Sequence, residues 1–411
     1  MGADLLQSLL RRPAGLVSAM LLLALYGAAA FAPFLSPTVP SAQDLQRTYH
    51  PPTALVWQEG RLSVRLYRLV DPSTATYEPL LGQAAPLRWF SEGPSYKLFG
   101  LLPSKTHLFT VESPAVIYLL GSDATGRDVF TRLLYGAGIS LGIGLVGVFL
   151  TSLLGLTIGG LAGYLGGWAD SLAMRLTEFL MAVPGLYLLL ALRAALSSRF
   201  PSDATFLLIV VILSALGWAG TARVVRGLVL SLRERPFILA ANILGQRPTV
   251  ILFRHLLPNT FSYLVVAATL SVPGYILGEA ALSFLGLGIQ EPSSSWGLML
   301  GQAQDIKIFM LNFWWLLTPG AAIILTVIAF NLLGDALRDA VDPRPLTPLM
   351  PLLDVKNLTV EFSSGAKPIT AVNHLSFAIE PGETVAVVGE SGSGKTTAAL
   401  ALARLTPPAP A

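Results

Sequence analysis

Three long stretches of this chain carry no charged side chain: Leu133–Ala169, Leu256–Gly278 and Ile308–Gly334. Each exceeds the roughly 20 apolar residues that a helix needs to cross a hydrocarbon core about 30 Å thick. Composition agrees. Of 411 residues, 53% are hydrophobic and 12% charged, against about 25% charged in soluble globular chains. Mean hydropathy is +0.64. A disordered protein, a basic nucleic-acid-binding domain and an ordinary cytosolic enzyme are excluded, leaving a polytopic membrane protein with room for a soluble appendage. The net charge of +3 is too mild to imply a nucleic-acid partner. With no Cys, disulfides, thiolate metal sites and Cys nucleophiles are ruled out. His50, His107, His255 and His374 are too scattered to suggest a His-based metal site.

Six spans are expected: Gly15–Leu35, Gly138–Tyr164, Phe179–Leu196, Thr205–Thr221 (or on to Leu230), Phe261–Leu285 and Met310–Leu333. The third is the weakest, because Glu178 and Arg193 bracket it. Cytoplasmic loops collect Lys and Arg. Arg11 and Arg12 precede the first span, Arg223, Arg226, Arg233, Arg235, Arg247 and Arg254 lie between the fourth and fifth, and Arg338 and Arg344 follow the sixth. The N-terminus, the fourth-to-fifth connection and the C-terminus are therefore expected in the cytoplasm. The first span ends in GAAAFAPF, so it reads either as an uncleaved anchor, which its length favours, or as a cleaved leader.

The expected organisation is an N-terminal anchor (1–35), an external insertion (36–132), a core with five further spans (133–341), a Pro-rich linker (342–351) and a soluble segment (352–411). The insertion alternates apolar and polar residues in RLSVRLYRLV and is expected to be β-rich. The second span carries Gly138 and Gly142, then Gly155, Gly159, Gly163 and Gly167 at four-residue spacing, which suits close helix packing in lipid. Pro184 and Pro273 are expected to kink their helices. Glu178, Arg193 and Glu279 lie near span ends, where a charge can reach the interface at little cost.

In the soluble segment, ETVAVVGESGSGKTTAALALARL fits the pattern G-x-x-x-x-G-K-[ST] at Gly389, Gly394, Lys395 and Thr396. An apolar run, Thr384–Val388, is expected to form the strand entering the loop, and an Ala/Leu-rich helix leaves it. Such a loop turns backbone N–H groups toward phosphates, and the helix N-terminus adds positive potential. The nucleotide-binding set is Gly389, Glu390, Ser391, Gly392, Ser393, Gly394, Lys395, Thr396 and Thr397. Lys395 would reach the terminal phosphates, and the Thr396 hydroxyl would ligate Mg²⁺ with ATP. Upstream, LLDVKNLTVEF and AVNHLSFAI read as strands, with EPGE as a turn.

The connection ERPFILAANILGQRPTVILFRHLLPN holds two short amphipathic stretches on either side of Gly245. A short helix beside such a turn can dock on another protein and pass its motion to the spans.

These motifs resemble known families. The segment from Leu352 resembles the opening of an ABC-transporter ATPase domain of the peptide-importer branch. That resemblance implies a partial α/β P-loop fold and assigns Phe362 to adenine stacking. No Walker B acid, signature motif or switch His follows, so ATP hydrolysis by the chain alone is not expected and no catalytic residue is assigned. The 232–258 connection resembles the EAA coupling loop of ABC importer permeases at Ala240, Ala241, Gly245, Leu257 and Pro258, with Asn259 following; the family's Glu falls on Leu239. Three more segments, LLGSDATGRDVFTRLLYGAGISL, ILGEAALSFLGLGIQEPSSSWG and LLGDALRDAVDPR, resemble signatures of dipeptide/oligopeptide/nickel-type permeases. Together they cover Leu119–Arg344.

The resemblance implies a mainly α fold of six transmembrane helices, like a type I ABC importer permease. It further implies an inner-membrane location, import of peptides or related solutes, a second permease subunit (a heterodimer), ABC ATPase subunits and an extracytoplasmic binding protein. An exporter-like half transporter and a non-transporting truncated fusion remain as alternatives. Exporters, however, need long cytoplasmic helical extensions, and the loops here are short.

Overall fold

The computed structural model describes residues 12–197, 204–341, 351–364, 367–380 and 383–405. The chain divides into two compact units, Met1–Val341 and Asp342–Ala411. The expected linker falls outside the described residues except for Pro351, as do Arg11, Arg344 and the central Pro-Gly of the expected EPGE turn.

The first unit opens with α1 (Pro13–Ala30) and a one-turn α2 (Ala32–Leu35). Pro13 suits the first helical turn, where its missing N–H costs nothing. Arg12, the N-cap residue of α1, forms an ion pair with Asp339 near the other end of the unit.

Next comes a four-stranded antiparallel meander in the order β1 (Leu55–Gln58), β2 (Arg61–Asp71), β3 (Thr76–Leu98), β4 (Leu102–Val111). The alternating stretch of sequence is β2. Gln58 pairs with Arg61 across a two-residue turn, and Glu59 and Gly60 both take positive φ, the geometry whose twist matches a hairpin. The long β3 changes partner midway, pairing with β2 as far as Pro86 and with β4 from Leu87. Val64, Phe109 and Ile117 form a small core there, against Phe130.

The helical core follows: α3 (Val129–Leu165), α4 (Gly167–Ala182), α5 (Gly185–Ser197), α6 (Thr205–Arg233), α7 (Pro236–Ile243), α8 (Pro248–Val250), a π turn (Ile251–Leu256), α9 (Leu257–Phe284), α10 (Trp296–Gln302), α11 (Ile306–Met310), a 3₁₀ turn (Trp314–Leu317) and α12 (Thr318–Val341). Among the described residues, five helical stretches are long and apolar enough to cross a membrane by length and composition: Pro13–Ala30, Val129–Leu165, Thr205–Arg233, Pro248–Phe284 and Trp314–Val341.

The third expected span is different: it is divided between the end of α4 and α5. Pro184 disfavours helical backbone at the residue before it, and Val183 is extended (φ −86°, ψ 129°). Pro184 thus ends a helix where a kink was expected, whereas Pro273 stays inside α9. The side chain of Arg193 lies outside the described residues.

The main core gathers Leu141, Ile143, Ile209, Ile212, Ile276 and Phe330 from α3, α6, α9 and α12. The glycines of α3 divide the work. A Cβ on Gly159 would fall 2.3 Å from the carbonyl oxygen of Ala222, and one on Gly163 would fall 2.8 Å from that of Arg226. These small residues let the α3 and α6 backbones meet. Gly138 faces open space, and Gly167 takes positive φ just after α3.

The second unit holds a hairpin of β5 (Leu353–Ser364) and β6 (Lys367–Ile379), then a loop and α13 (Lys395–Leu402). Thr384–Val388, expected as a strand, is not one. A strand needs a neighbour to take its hydrogen bonds, and no described segment pairs with it. Val388 is left 91% exposed.

Candidate functional site

The connection between α6 and α9 is an elbow built on a buried foundation. Val225 and Val229 of α6, Ile238 and Ala241 of α7, and Ile251, Leu252, Leu256 and Leu257 beyond it form one apolar cluster with Leu156 and Tyr164 of α3. Ile238 and Ala241 are three residues apart, so they share one face of α7.

Gly245 shapes the bend. Its N–H donates to Asn242 O (3.0 Å), and the Gln246 N–H donates to Ala241 O (3.1 Å). These two bonds close a helix with the reversed residue between them. That residue has φ +71°, a backbone that side-chain-bearing residues rarely adopt.

Leu257-Pro258 closes the elbow. Pro258 lacks an N–H and its ring crowds the carbonyl four residues back; the chain answers with the π turn Ile251–Leu256 just before it. His255 Nε2 lies 2.9 Å from Gln246 Oε1, tying the two halves together.

Of the residues singled out from sequence, Ala241 and Leu257 are buried in the foundation, while Ala240, Gly245 and Pro258 are exposed. The structure adds an exposed apolar set of which sequence reading had singled out Leu239 alone. Ile243 is 85% and Leu244 79% exposed, and Leu239, Phe253 and Phe237 are exposed beside them. The available signal was the helical period, which separates Ile238 and Ala241 from Leu239 and Ile243. Two of the loop's basic residues are structural. Arg226 grips Asp170 of α4 with two bonds of 2.5 Å, and Arg233 donates to Tyr164 O at 3.3 Å.

At the opposite ends of the helices, two sequence signatures meet in a charge cluster. Asp123 accepts from Arg127 Nε (2.8 Å) and from Arg132. Glu291 bonds Arg127 (2.7 Å) and Arg132 (2.8 Å). Burial opposes ionisation of Asp123, but Arg132 and Arg127 outweigh it and hold the carboxyl below its usual range. Asp128 caps α3, accepting from Phe130 N and Thr131 N, and burial pushes its carboxyl up to about 6.

Glu279 does not reach an interface. It is fully buried, accepting from Ser140 Oγ (3.0 Å) and Ser283 Oγ (2.6 Å). A buried carboxyl group with its hydrogen bonds supplied costs far less than a bare one.

In the second unit, Gly394 (φ +84°) is the N-cap residue of α13. A Cβ there would fall 2.2 Å from Ala371 O. Lys395 Nζ folds over the loop, donating to Gly389 O (2.8 Å), Glu390 O (2.6 Å) and Ser393 Oγ (3.3 Å). Thr396 and Thr397 occupy the first turn of α13, where backbone N–H groups have no carbonyl one turn back. A cavity of about 360 Å³ beside the loop is lined by Thr370, Val372, Val388, Gly394 and Lys395 among others. Phe362 is not in that lining. It lies on β5 opposite Ile369 and is partly exposed.

A bundle of apolar helices with a basic, apolar-tipped elbow, followed by a phosphate-type loop, defines a multi-pass subunit of a membrane transport system. Residues 155–346 match the family described as binding-protein-dependent transport system inner membrane component. Residues 1–52 match the N-terminal TM domain of oligopeptide transport permease C, and residues 372–410 match the ABC transporter family. Over 232 residues the chain is 42% identical to the dipeptide transport system permease protein DppC of Bacillus subtilis, covering 56% of this chain and 70% of that protein. It is 41% identical to the glutathione transport system permease protein GsiD of Pectobacterium atrosepticum (57% and 75% covered). It is 40% identical to the oligopeptide transport system permease protein OppC of Haemophilus influenzae (55% and 70% covered). The chain belongs to the family of binding-protein-dependent transport system inner membrane components, the permeases of ABC importers, and carries the start of an ABC ATPase domain at its C-terminal end.

Proposed function

We propose that this chain forms half of the translocation path of an ATP-driven importer for peptides or related small solutes. It pairs with a second, different permease subunit. An extracytoplasmic binding protein delivers the cargo, and ABC ATPase subunits dock on the elbow from the cytoplasm. The N-terminus, the elbow and the end of α12 face that side, as their arginines favour.

One observation carries the reading. An exposed apolar strip, Leu239, Ile243, Leu244 and Phe253, stands on a foundation continuous with α3, α6 and α9. A push on the strip is transmitted to the helices because the packed foundation beneath it cannot yield. The relatives' names point to the peptide class of cargo.

The second unit is suited to hold the phosphates of Mg-ATP on loop 389–397, with Lys395 opposite the terminal phosphates and Thr396 toward Mg²⁺. Nucleotide turned over on the ABC ATPase subunits would supply the driving free energy. This chain's residues orient the nucleotide on their own loop: the glycines leave room for phosphate oxygens, and Lys395 exchanges its carbonyl partners for them.

The test is uptake of a labelled dipeptide or oligopeptide into vesicles holding this chain with its partner permease, ATPases and binding protein. Uptake should require both ATP and the binding protein; uptake without either overturns the proposal. Lys395→Ala in the full chain should abolish any binding of a fluorescent ATP analogue to the second unit. Undiminished binding removes the loop's role and leaves the permease reading standing.

A further inference from the structure

Apart from Gly100, the turn between β3 and β4 is built from residues that a water-facing turn avoids. Hairpin turns in water draw on Gly, Asn, Asp, Ser and Pro. Here the tip reads Leu98-Phe99-Gly100-Leu101-Leu102, with Leu98 paired to Leu102. Leu101 is 81% exposed, and Phe99 and Leu102 are exposed beside it. A lysine stands on each strand behind the tip, Lys97 and Lys105, and no acidic residue lies between Glu92 and Glu112.

The tip's height relative to the bilayer can be read from its neighbours. α1 has 18 residues, which at 1.5 Å each gives about 27 Å, close to the roughly 30 Å hydrocarbon core. α1 therefore needs its whole length to cross, and Phe31, just past its end, sits at the hydrocarbon boundary. The Phe99 ring meets the Phe31 ring edge-on at 5.4 Å, and Phe90 approaches Phe34 at 6.3 Å. Behind the tip, His107 Nδ1 lies 2.6 Å from Ser36 O, holding β4 against the end of α2. The tip is thus fastened at the level where acyl chains give way to headgroups.

We propose that the β3–β4 tip is an interfacial anchor, with Phe99, Leu101 and Leu102 seated among the lipids of the leaflet that α1 reaches at Phe31, and with Lys97 and Lys105 at their phosphates. Exposed apolar side chains gain by leaving water, and flanking lysines keep their ammonium groups at the headgroups while their stems lie along the apolar surface. The occupant is lipid because the patch continues a membrane-spanning surface and carries positive charge alone. The anchor fixes the insertion relative to the bilayer, whatever the cargo. The proposal rests on α1 crossing the membrane and on no other part of the functional reading.

The absence of native cysteine makes the test direct. Leu101→Cys, and separately Leu102→Cys, carry a nitroxide label in the full chain, in vesicles of phosphatidylethanolamine and phosphatidylglycerol. Leu23→Cys on the exposed face of α1 is the lipid reference and Arg61→Cys on β2 the water reference. Collisions of the tip labels with oxygen should exceed those with a water-soluble nickel chelate, as for Leu23 and in reversal of Arg61. Nickel-dominated collisions at both tip positions, with Leu23 still oxygen-dominated, overturn the anchor while leaving the span in place. So does a tip that loses nickel access only when a binding protein is added, since the patch would then be a protein-docking face.

Discussion

Arg132, at the start of α3, reaches two carboxylates at once: it pairs with Asp123 nine residues before it and, at 2.8 Å, with Glu291, which lies 159 residues away. Its side chain is 1% exposed. The cluster joins the entry of α3 to the exit of α9, and the loss of either arginine leaves Asp123 and Glu291 with one positive partner each. Arg132→Met should destabilise the chain by about 3–5 kcal/mol, because Asp123 stays buried with half its positive partners gone. Arg132→Lys should recover part of the loss, keeping the charge but not the two-pronged geometry. Thermal unfolding in detergent measures both; an unchanged midpoint for Arg132→Met refutes the cluster's structural role.

Gly159 and Gly138 make a matched pair of tests. Gly159→Ala drives a methyl group against the backbone of Ala222 and should cost about 1–3 kcal/mol, as overpacking does. Gly138→Ala enters open space and should be neutral or slightly stabilising, since alanine favours helix by about 1 kcal/mol. Equal effects would mean that α3 and α6 do not meet along this ridge.

At the elbow, Gly245→Pro cannot adopt φ +71° and should abolish ATP-coupled uptake while membrane abundance holds, because the foundation does not involve Gly245. Gly245→Ala should cost roughly 1–2 kcal/mol of local strain and leave measurable uptake. Full uptake by the proline variant would deny the elbow its part in coupling.

His50 gives a pH dependence. It is buried, facing the rings of Tyr67, Tyr77 and Tyr118, and burial lowers its pKa to about 4 from 6.5. A depressed histidine stabilises the fold fully above its unfolded value and loses that contribution as pH falls toward the folded one. Between pH 6.5 and about 4, stability should fall by up to ~3 kcal/mol from this group. The midpoint of the wild-type chain should drop more steeply over that window than that of His50→Gln. Parallel slopes would mean His50 takes up its proton freely in the fold.

Removing residues 352–411 should leave insertion of the first unit into membranes intact, since Met1–Val341 forms a compact unit of its own. Loss of insertion, followed by protease mapping, would show that the two are not independent.

The long spans were legible because an uncharged run in α3, α9 or α12 has one stable home, a bilayer. The α4–α5 pair was less so: hydropathy does not see that Pro184 forces Val183 out of the helix. β2 announced itself by alternation, while β3, crossed by Pro79, Gly82, Pro86 and Pro94, did not. The charge cluster was hidden because its partners are far apart in sequence. Glu279 was misplaced because nothing local reveals that Ser140, from another helix, waits beside it. The elbow's outline was readable from Gly245 and Leu257-Pro258; its exposed tip, Ile243 and Leu244, depended on which face the foundation claimed.

Arg12 at the start of α1 touches Asp339 near the end of α12, so a bilayer around this bundle would have both on one face. A chain that returns to the face it left has crossed an even number of times. Among the described residues five stretches are long and apolar enough to cross, an odd number, and we propose that α4 with α5, between α3 and α6, makes the remaining passage. The ion pair is what asks a crossing of this proline-broken pair of short helices.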